Sequence, residues 1–387
     1  MIRFWFKLFY AVKFAGIGVF MPYMVIYFIR KDLTNAQVGY LMSLTALAGI
    51  IVQPVWGIVS DKFNVTRLLI TIGCWVTSGL VFAFTLTDRF EHLLVIVTLS
   101  SIVNAPVHSN LVALALSHLE SRGKQEEFGK FRLWGSIGFI VATAIAGGLF
   151  FEDNLELAVY IYCGSLVVLG LMSLQLPDRR ISTEVQWADG FKLLAHNRRL
   201  RLFLLGVVCL GITVGIGDQY LVVYMNELNA TAWIVGSTVA VTAMPEIPLM
   251  HYAEKFIRKY GLRITYIVGI SALPLRWLLN TLVTDANIAL PVQALHGIGL
   301  SALLTVGVIY IDSILPKTLR ASGQAIYSTS LYGLGPSIGL FIAGLLMSSG
   351  STQTLWIMCL FVSVIGCIIV NRAMQIDDQQ TIANHKL

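Results

Sequence analysis

The sequence predicts an all-α membrane protein of twelve transmembrane helices arranged as two six-helix bundles. Three observations predict it. Of 387 residues, 56% are apolar and only 12% are charged, about half the roughly 25% charged content of soluble domains, and mean hydropathy is +0.76. Apolar runs of about 20 residues, the length that crosses a bilayer core, recur twelve times. The basic residues gather in every second connection between those runs. Backbone polar groups in hydrocarbon find no water, so runs of this length are helices.

The spans fall near residues 4–28, 36–59, 67–87, 91–119, 130–151, 156–176, 200–225, 232–254, 262–284, 287–311, 320–348 and 352–373. The first lies inside MIRFWFKLFYAVKFAGIGVFMPYMVIYFI. It is too long for the core of a secretion signal, no small-residue cleavage site follows, and it reads as an uncleaved helix. With the N-terminus in the cytoplasm, the inner connections receive Lys62, Arg67, Arg122, Lys124, Arg179, Arg180, Lys255, Arg258, Lys259, Arg263, Lys317 and Arg320, while the outer ones hold only Arg30, Lys31 and Arg89. That asymmetry places both termini inside a multi-pass protein of the inner (plasma) membrane. A missed helix would scramble it.

The longest charged stretch, PDRRISTEVQWADGFKLLAHNRR at 177–199, reads as a cytoplasmic linker with an amphipathic piece near 187–195. It separates an N-terminal bundle, 1–176, from a C-terminal bundle, 200–387. The bundles echo each other: SDKFNVTRLLITIG follows the second span and AEKFIRKYGLRITYIVG the eighth. Parallel repeats related by an axis along the membrane normal are a transporter architecture.

Composition excludes several classes. The net charge of +6 resides in short loops without a continuous patch, so no nucleic-acid partner is expected. The five cysteines all lie within apolar runs and form no Cys-x-x-Cys, so neither a disulfide framework nor zinc is indicated. No G-x-x-x-x-G-K-[ST] loop, metal-ligand spacing or nucleophile elbow occurs, so neither an enzyme nor a cofactor is expected.

GIVSDKFNVTR, residues 57–67, resembles the loop motif of the major facilitator superfamily, with Gly57, Asp61, Lys62 and Arg67 in the places of its conformational gate. The usual glycine is Asn64, the next-best residue for a left-handed turn. FGKFRLWGSIGF, residues 128–139, resembles the start of the fifth helix in the lactose-permease-like branch, the oligosaccharide:proton symporters and phenylpropionate permeases. The resemblance implies that Arg132 binds substrate and that Phe139 stands at a stacking position. GVFMPYM (18–24) resembles the first helix of that branch, and DQY (218–220) an Asp-Gln motif of helix seven. Glu246 matches the carboxylate of helix eight, Arg276 the arginine of helix nine, and VQALHG (292–297) the histidine motif of helix ten. There are departures. Gln293 and Gly299 replace a lysine and a carboxylate, and Asn110 takes the place of the carboxylate that partners the arginine, so disaccharide specificity is not implied.

Ionisable residues at membrane depth are functional candidates when they face a cavity. Lys13 lies about 14 Å along the first helix; it either faces a cavity or snorkels to the surface. Arg132 is either an interfacial anchor or a bidentate ligand for a carboxylate or paired hydroxyls. Arg276 is open to structural pairing with one acid, which leaves the other to carry a proton: Glu246, flanked by Pro245 and Pro248, comes first, and Asp218 second. Gln293 and His296 share a helix face; His296 relays protons, donates to substrate, or makes a helix contact. Three cations (Lys13, Arg132, Arg276) against two acids favour an anionic ligand, because an uncompensated buried charge is costly. Phe14, Tyr23, Tyr27, Trp134 and Phe139 suit an aromatic monocarboxylate; a sugar or nucleoside stays open. The expectation is a monomeric proton-coupled symporter that imports a small organic solute, with substrate, protons and lipid bilayer as its partners. An exporter and a transport-dead receptor are the rivals. Gly135, Gly138, Gly211, Gly215, Gly335 and Gly339 are expected at close helix contacts.

Overall fold

The computed structural model describes residues 2–120, 128–150, 154–177, 197–315 and 319–384. Among these residues there is no strand. Eleven helices are long and apolar enough to cross a membrane: α1 (Ile2–Ile29), α2 (Asn35–Ser60), α3 (Thr66–Leu86), α4 (Phe90–Leu119), α6 (Leu155–Ser173), α7 (Arg198–Glu227), α8 (Ala232–Tyr260), α9 (Leu262–Leu282), α10 (Ala286–Ile314), α11 (Ser322–Met347) and α12 (Thr352–Gln375). A further helix, α5 (Phe128–Phe150), completes the order; its described apolar stretch, Phe131–Ala146, is shorter. The fold is the all-α membrane architecture read from the sequence. Most of the expected linker, residues 178–196 with its amphipathic piece, lies outside the described residues, as does the Asp61 side chain.

The described residues group into two compact units, Met1–Ser182 with Gln219–Val241, and Thr183–Asp218 with Thr242–Leu387. In the first, α1 and α5 meet almost backbone to backbone. A Cβ on Gly138 would lie 2.3 Å from the Ala11 carbonyl oxygen, and one on Gly135 would lie 2.7 Å from the Phe14 ring. Hydroxyls pin α3 to α6, through Thr71 to Ser173 at 2.6 Å and Ser78 donating to the Cys163 carbonyl at 3.0 Å. Phe20 stacks on Tyr162 at 5.0 Å.

The second unit is built around Leu200, Phe203, Tyr266, Leu303, Tyr310 and Tyr327. Here Gly335 sits against the backbone of Gly211, and Gly339 against the Ile212 carbonyl. Trp277 of α9 stacks on Trp356 of α12, 5.3 Å apart and 9° from parallel. Several spans are interrupted. Span α8 breaks at Met244–Pro245, α9 at Ser271 and α10 at Gln293. Wider π turns occupy Ala302–Gly307 in α10 and Ser330–Leu334 in α11. The Tyr327 hydroxyl donates to the Leu303 carbonyl within the first of these turns, at 2.6 Å.

Asn64 ends its helix with φ 55 and ψ 40, the left-handed turn expected of it. Gly57 is exposed, and a Cβ added there would meet nothing within 4 Å. Lys62 stands 5.7 Å over the Phe63 ring, and Arg67 donates to the Leu176 carbonyl at 3.4 Å. The cysteines are all unpaired and buried or half-buried.

Because backbone rather than a flexible side chain faces Gly138, a larger residue there forces α1 and α5 apart. Gly138→Val is expected to destabilise the protein by about 1–3 kcal/mol, the usual range for overpacking. The readout is a lower unfolding temperature in detergent, with no comparable change for Gly79→Val, where nothing lies within 4 Å.

Candidate functional site

The candidate residues fall mainly into two polar clusters inside the apolar helices, one in each unit. In the first, Lys13 is buried at 8% exposure and does not snorkel. Its Nζ lies 2.8 Å from Nδ1 of His108 on α4. An ammonium has only donors, so Nδ1 must accept and the neutral ring carries its hydrogen on Nε2. Arg132, half-buried near the start of α5, lays its guanidinium 4.4 Å over the Phe14 ring and donates to Ser136 one turn on, at 3.3 Å. His108 meets the same ring edge-on at 6.2 Å. Gly135 leaves room for Phe14 there. Among the described residues, no carboxylate bonds to Lys13 or Arg132. A cavity of about 20 Å³ beside Lys13 and Asn104 has room for a single water.

Not every expected residue joins this cluster. Asn110 is buried, two residues beyond His108 and so on another face of α4; its amide nitrogen has no partner among the described residues. Phe139 is half-buried and lies against Gly18 of α1. His108, which the sequence reading did not single out, is the α4 residue that meets Lys13. The rule that flagged His296, an ionisable residue within an apolar run, applies equally to it.

The second cluster is a chain of side chains centred on Arg276, which has 0% exposure. Arg276 Nε donates to Gln293 Oε1 at 2.8 Å, and the Gln293 amide donates to Asn280 Oδ1 at 2.9 Å and to the Ala289 carbonyl at 3.0 Å. Arg276 Nη1 lies 2.8 Å from His296 Nδ1, and His296 Nε2 lies 3.4 Å from Asp218 Oδ1. Guanidinium cannot accept, so His296 is held with Nδ1 accepting and with its hydrogen on Nε2, towards Asp218. The Asp218 side chain is 49% exposed. Gly217 lets α7 approach: a Cβ there would lie 2.4 Å from Trp277 and 3.0 Å from Arg276 Nη1. Asn280, also missed in the sequence, sits one turn from Arg276 on the same face of α9.

Glu246 is half-buried and opens the second segment of α8 directly after Pro245. Pro245 in turn rests on Gly297, the residue after His296. The break at Met244–Pro245 therefore brings the head of that segment to α10.

Buried polar chains with fixed donor directions, set among helices long and apolar enough to cross a membrane, are consistent with a membrane transporter. The chain belongs to the MFS_1 like family, whose model matches residues 3–358, within the major facilitator superfamily. It is 24% identical over 371 residues to a maltose permease of Geobacillus stearothermophilus, covering 94% of this chain and 93% of that protein. It is 22% identical over 364 residues to a xanthosine permease of Escherichia coli, covering 86% and 87%. The crystal structure of the nucleoside transporter NupG superposes with a TM-score of 0.85 at 18% identity, covering 96% of this chain and 99% of that one.

Gln293 serves both Arg276 and Asn280, and all three are buried. Replacing it, as in Gln293→Leu, is expected to destabilise the protein by about 2–3 kcal/mol, because a buried charged donor loses its acceptor. Thermal unfolding of the purified protein measures this.

Proposed function

We propose that this transporter is a monomeric proton-coupled symporter that imports a small oxygen-rich solute, a sugar or nucleoside, by alternating access. Both termini lie in the cytoplasm. The observation that carries the reading is the cluster of Lys13, His108 and Arg132 around the Phe14 ring, in which the one ring acceptor, His108 Nδ1, is taken by Lys13 and the other ring and cationic nitrogens are donors. Guanidinium, ammonium and an Nε2–H recognise acceptor oxygens, and the ring offers a face for a planar or carbohydrate surface. The permease names of full-length relatives point the same way. Phe139, Asn110 and Gln293 remain candidate substrate contacts, and Gly57, Asp61, Lys62 and Arg67 the gate.

For the proton, Asp218 takes precedence over Glu246. Its carboxylate meets a histidine whose tautomer Arg276 dictates. A second proton on His296 would set two donors against each other at Nδ1, so the ring acts as an orienting donor rather than as the carrier. Protonation of Asp218 removes the negative end of that chain and makes the orientation of α7 against α9 and α10 depend on the proton. This is the coupling a symporter needs.

A second reading, a monocarboxylate substrate, is favoured by the absence of a bonded carboxylate at Lys13 and Arg132 among the described residues. Electrogenicity separates the two. One proton with a neutral solute moves one charge, worth about 2.3 kcal/mol per 100 mV; one proton with a monoanion moves none.

Proteoliposomes with an imposed pH gradient, offered a disaccharide, a purine nucleoside and an aromatic monocarboxylate, test the reading. A sugar or nucleoside is expected to accumulate, and an inside-negative potential to increase that accumulation. Accumulation indifferent to the gradient overturns proton coupling, and outward transport alone supports an exporter. Arg132→Ala is expected to weaken solute binding at least about tenfold, equivalent to about 1.4 kcal/mol, by titration calorimetry. Asp218→Asn is expected to keep solute exchange while losing accumulation; if accumulation survives there and fails in Glu246→Gln, the proton belongs to Glu246.

A further inference from the structure

On the outer face of the second unit, α8, α9 and α10 enclose an apolar groove of about 400 Å³, within the range of small-ligand sites, about 300–1,000 Å³. Leu249, Ala253, Phe256 and Tyr260 form one wall as a single stripe of α8, and Ile264 and Val268 of α9 form the other. The floor is α10, where Ala302 lies so close to Gly269 that a Cβ on the glycine would be 2.4 Å away. The floor is buried while the rims of the walls are open: Ala302 is 5% exposed and Val268 66%.

Two properties define what fits. The interior of the groove is apolar, since its two aliphatic hydroxyls are used locally: Thr265 donates to the Gly261 carbonyl at 2.8 Å and Ser301 to the Ile298 carbonyl at 2.8 Å, which leaves the Tyr260 phenol at one end. It is also long and narrow. From Leu249 to Tyr260 it runs about 16 Å along the helix, close to half of a hydrocarbon core about 30 Å thick. That is the depth of one lipid leaflet.

One end of the groove is cationic. Tyr260 forms its rim, and the Lys259 ammonium stands 5.0 Å from the Tyr260 ring centroid. Lys255, one turn back on the same flank, stands 4.9 Å over Tyr252. Both lysines are exposed. Arg258, between them, shares its charge with Glu254 at 3.9 Å, and Arg263 is turned to Asn371 at 3.0 Å. Among the described residues of this flank, the two lysines are thus exposed cations open to a ligand.

We propose that this groove is a binding site for an anionic glycerophospholipid, with one acyl chain along α8–α9–α10 and its phosphate headgroup held by Lys259 and Lys255. The site is separate from the solute path, and its occupancy fastens α8 to α9 across the floor of α10.

The test uses the full chain in phosphatidylcholine nanodiscs containing a trace of phosphatidylglycerol with a photoactivatable acyl chain. Crosslinks are expected within residues 249–268 and 298–306. The doubly substituted Lys255→Gln, Lys259→Gln protein is expected to lose labelling severalfold, and Val268→Trp, which fills the groove from its exposed wall, to lose it as well. A photoactivatable phosphatidylcholine supplied in the same way should label these segments severalfold less. Equal labelling by the two lipids, or unchanged labelling in both variants, overturns the proposal. Unfolding temperatures confirm that each variant is folded. Failure here leaves the transport reading untouched, because solute uptake is not the readout.

Discussion

A guanidinium with no exposed surface, Arg276, is the constraint around which the second unit is arranged. Arginine stays charged at any accessible pH, so a lipid-embedded bundle can hold it only by surrounding it with acceptors. Gln293 and His296 supply them from α10, and the Trp277 ring lies under the guanidinium at 4.4 Å. Trp277 in turn rests on Trp356, and Gly217 opens the space through which α7 brings Asp218 to His296. One permanent charge thus sets the rotation of three spans and fixes a histidine tautomer.

The first unit solves a similar problem by different means. Lys13 and Arg132 are stabilised by a neutral histidine and an aromatic face rather than by a carboxylate among the described residues. A cluster built this way keeps donor capacity, since neither cation is neutralised by a bonded acid. The second cluster is hydrogen-bonded from Asn280 through Gln293 and Arg276 to His296 and ends in a half-open carboxylate. The contrast leaves donors open in one unit and a carboxylate half-open in the other.

Both arrangements depend on close helix contacts. Gly135 and Gly138 seat α1 on α5, and Gly211, Gly335 and Gly339 seat α7 on α11. Smooth backbone contacts of this kind provide dispersion attraction where lipid removes the hydrophobic drive. The π turns of α10 and α11 widen the helices locally, and Tyr327 ties α11 to the first of them through the Leu303 carbonyl.

The number, order and helical nature of the spans were legible in the sequence, as was the left-handed turn at Asn64. These follow from chain-local physics: runs of apolar residues, satisfied backbones and a tolerated φ. The intramembrane residues Lys13, Arg132, Asp218, Arg276, Gln293 and His296 were legible as candidates for the same reason, since a polar group in hydrocarbon is conspicuous in one dimension. What only the tertiary structure decided was partnership. It chose His108 over Asn110 for the Lys13 cluster, turned Phe139 onto Gly18, gave Gln293 to Arg276 and Asn280, and bound His296 between Arg276 and Asp218. Burial cost is set residue by residue along the chain, whereas a hydrogen bond depends on the rotation and approach of two helices that sequence spacing leaves free.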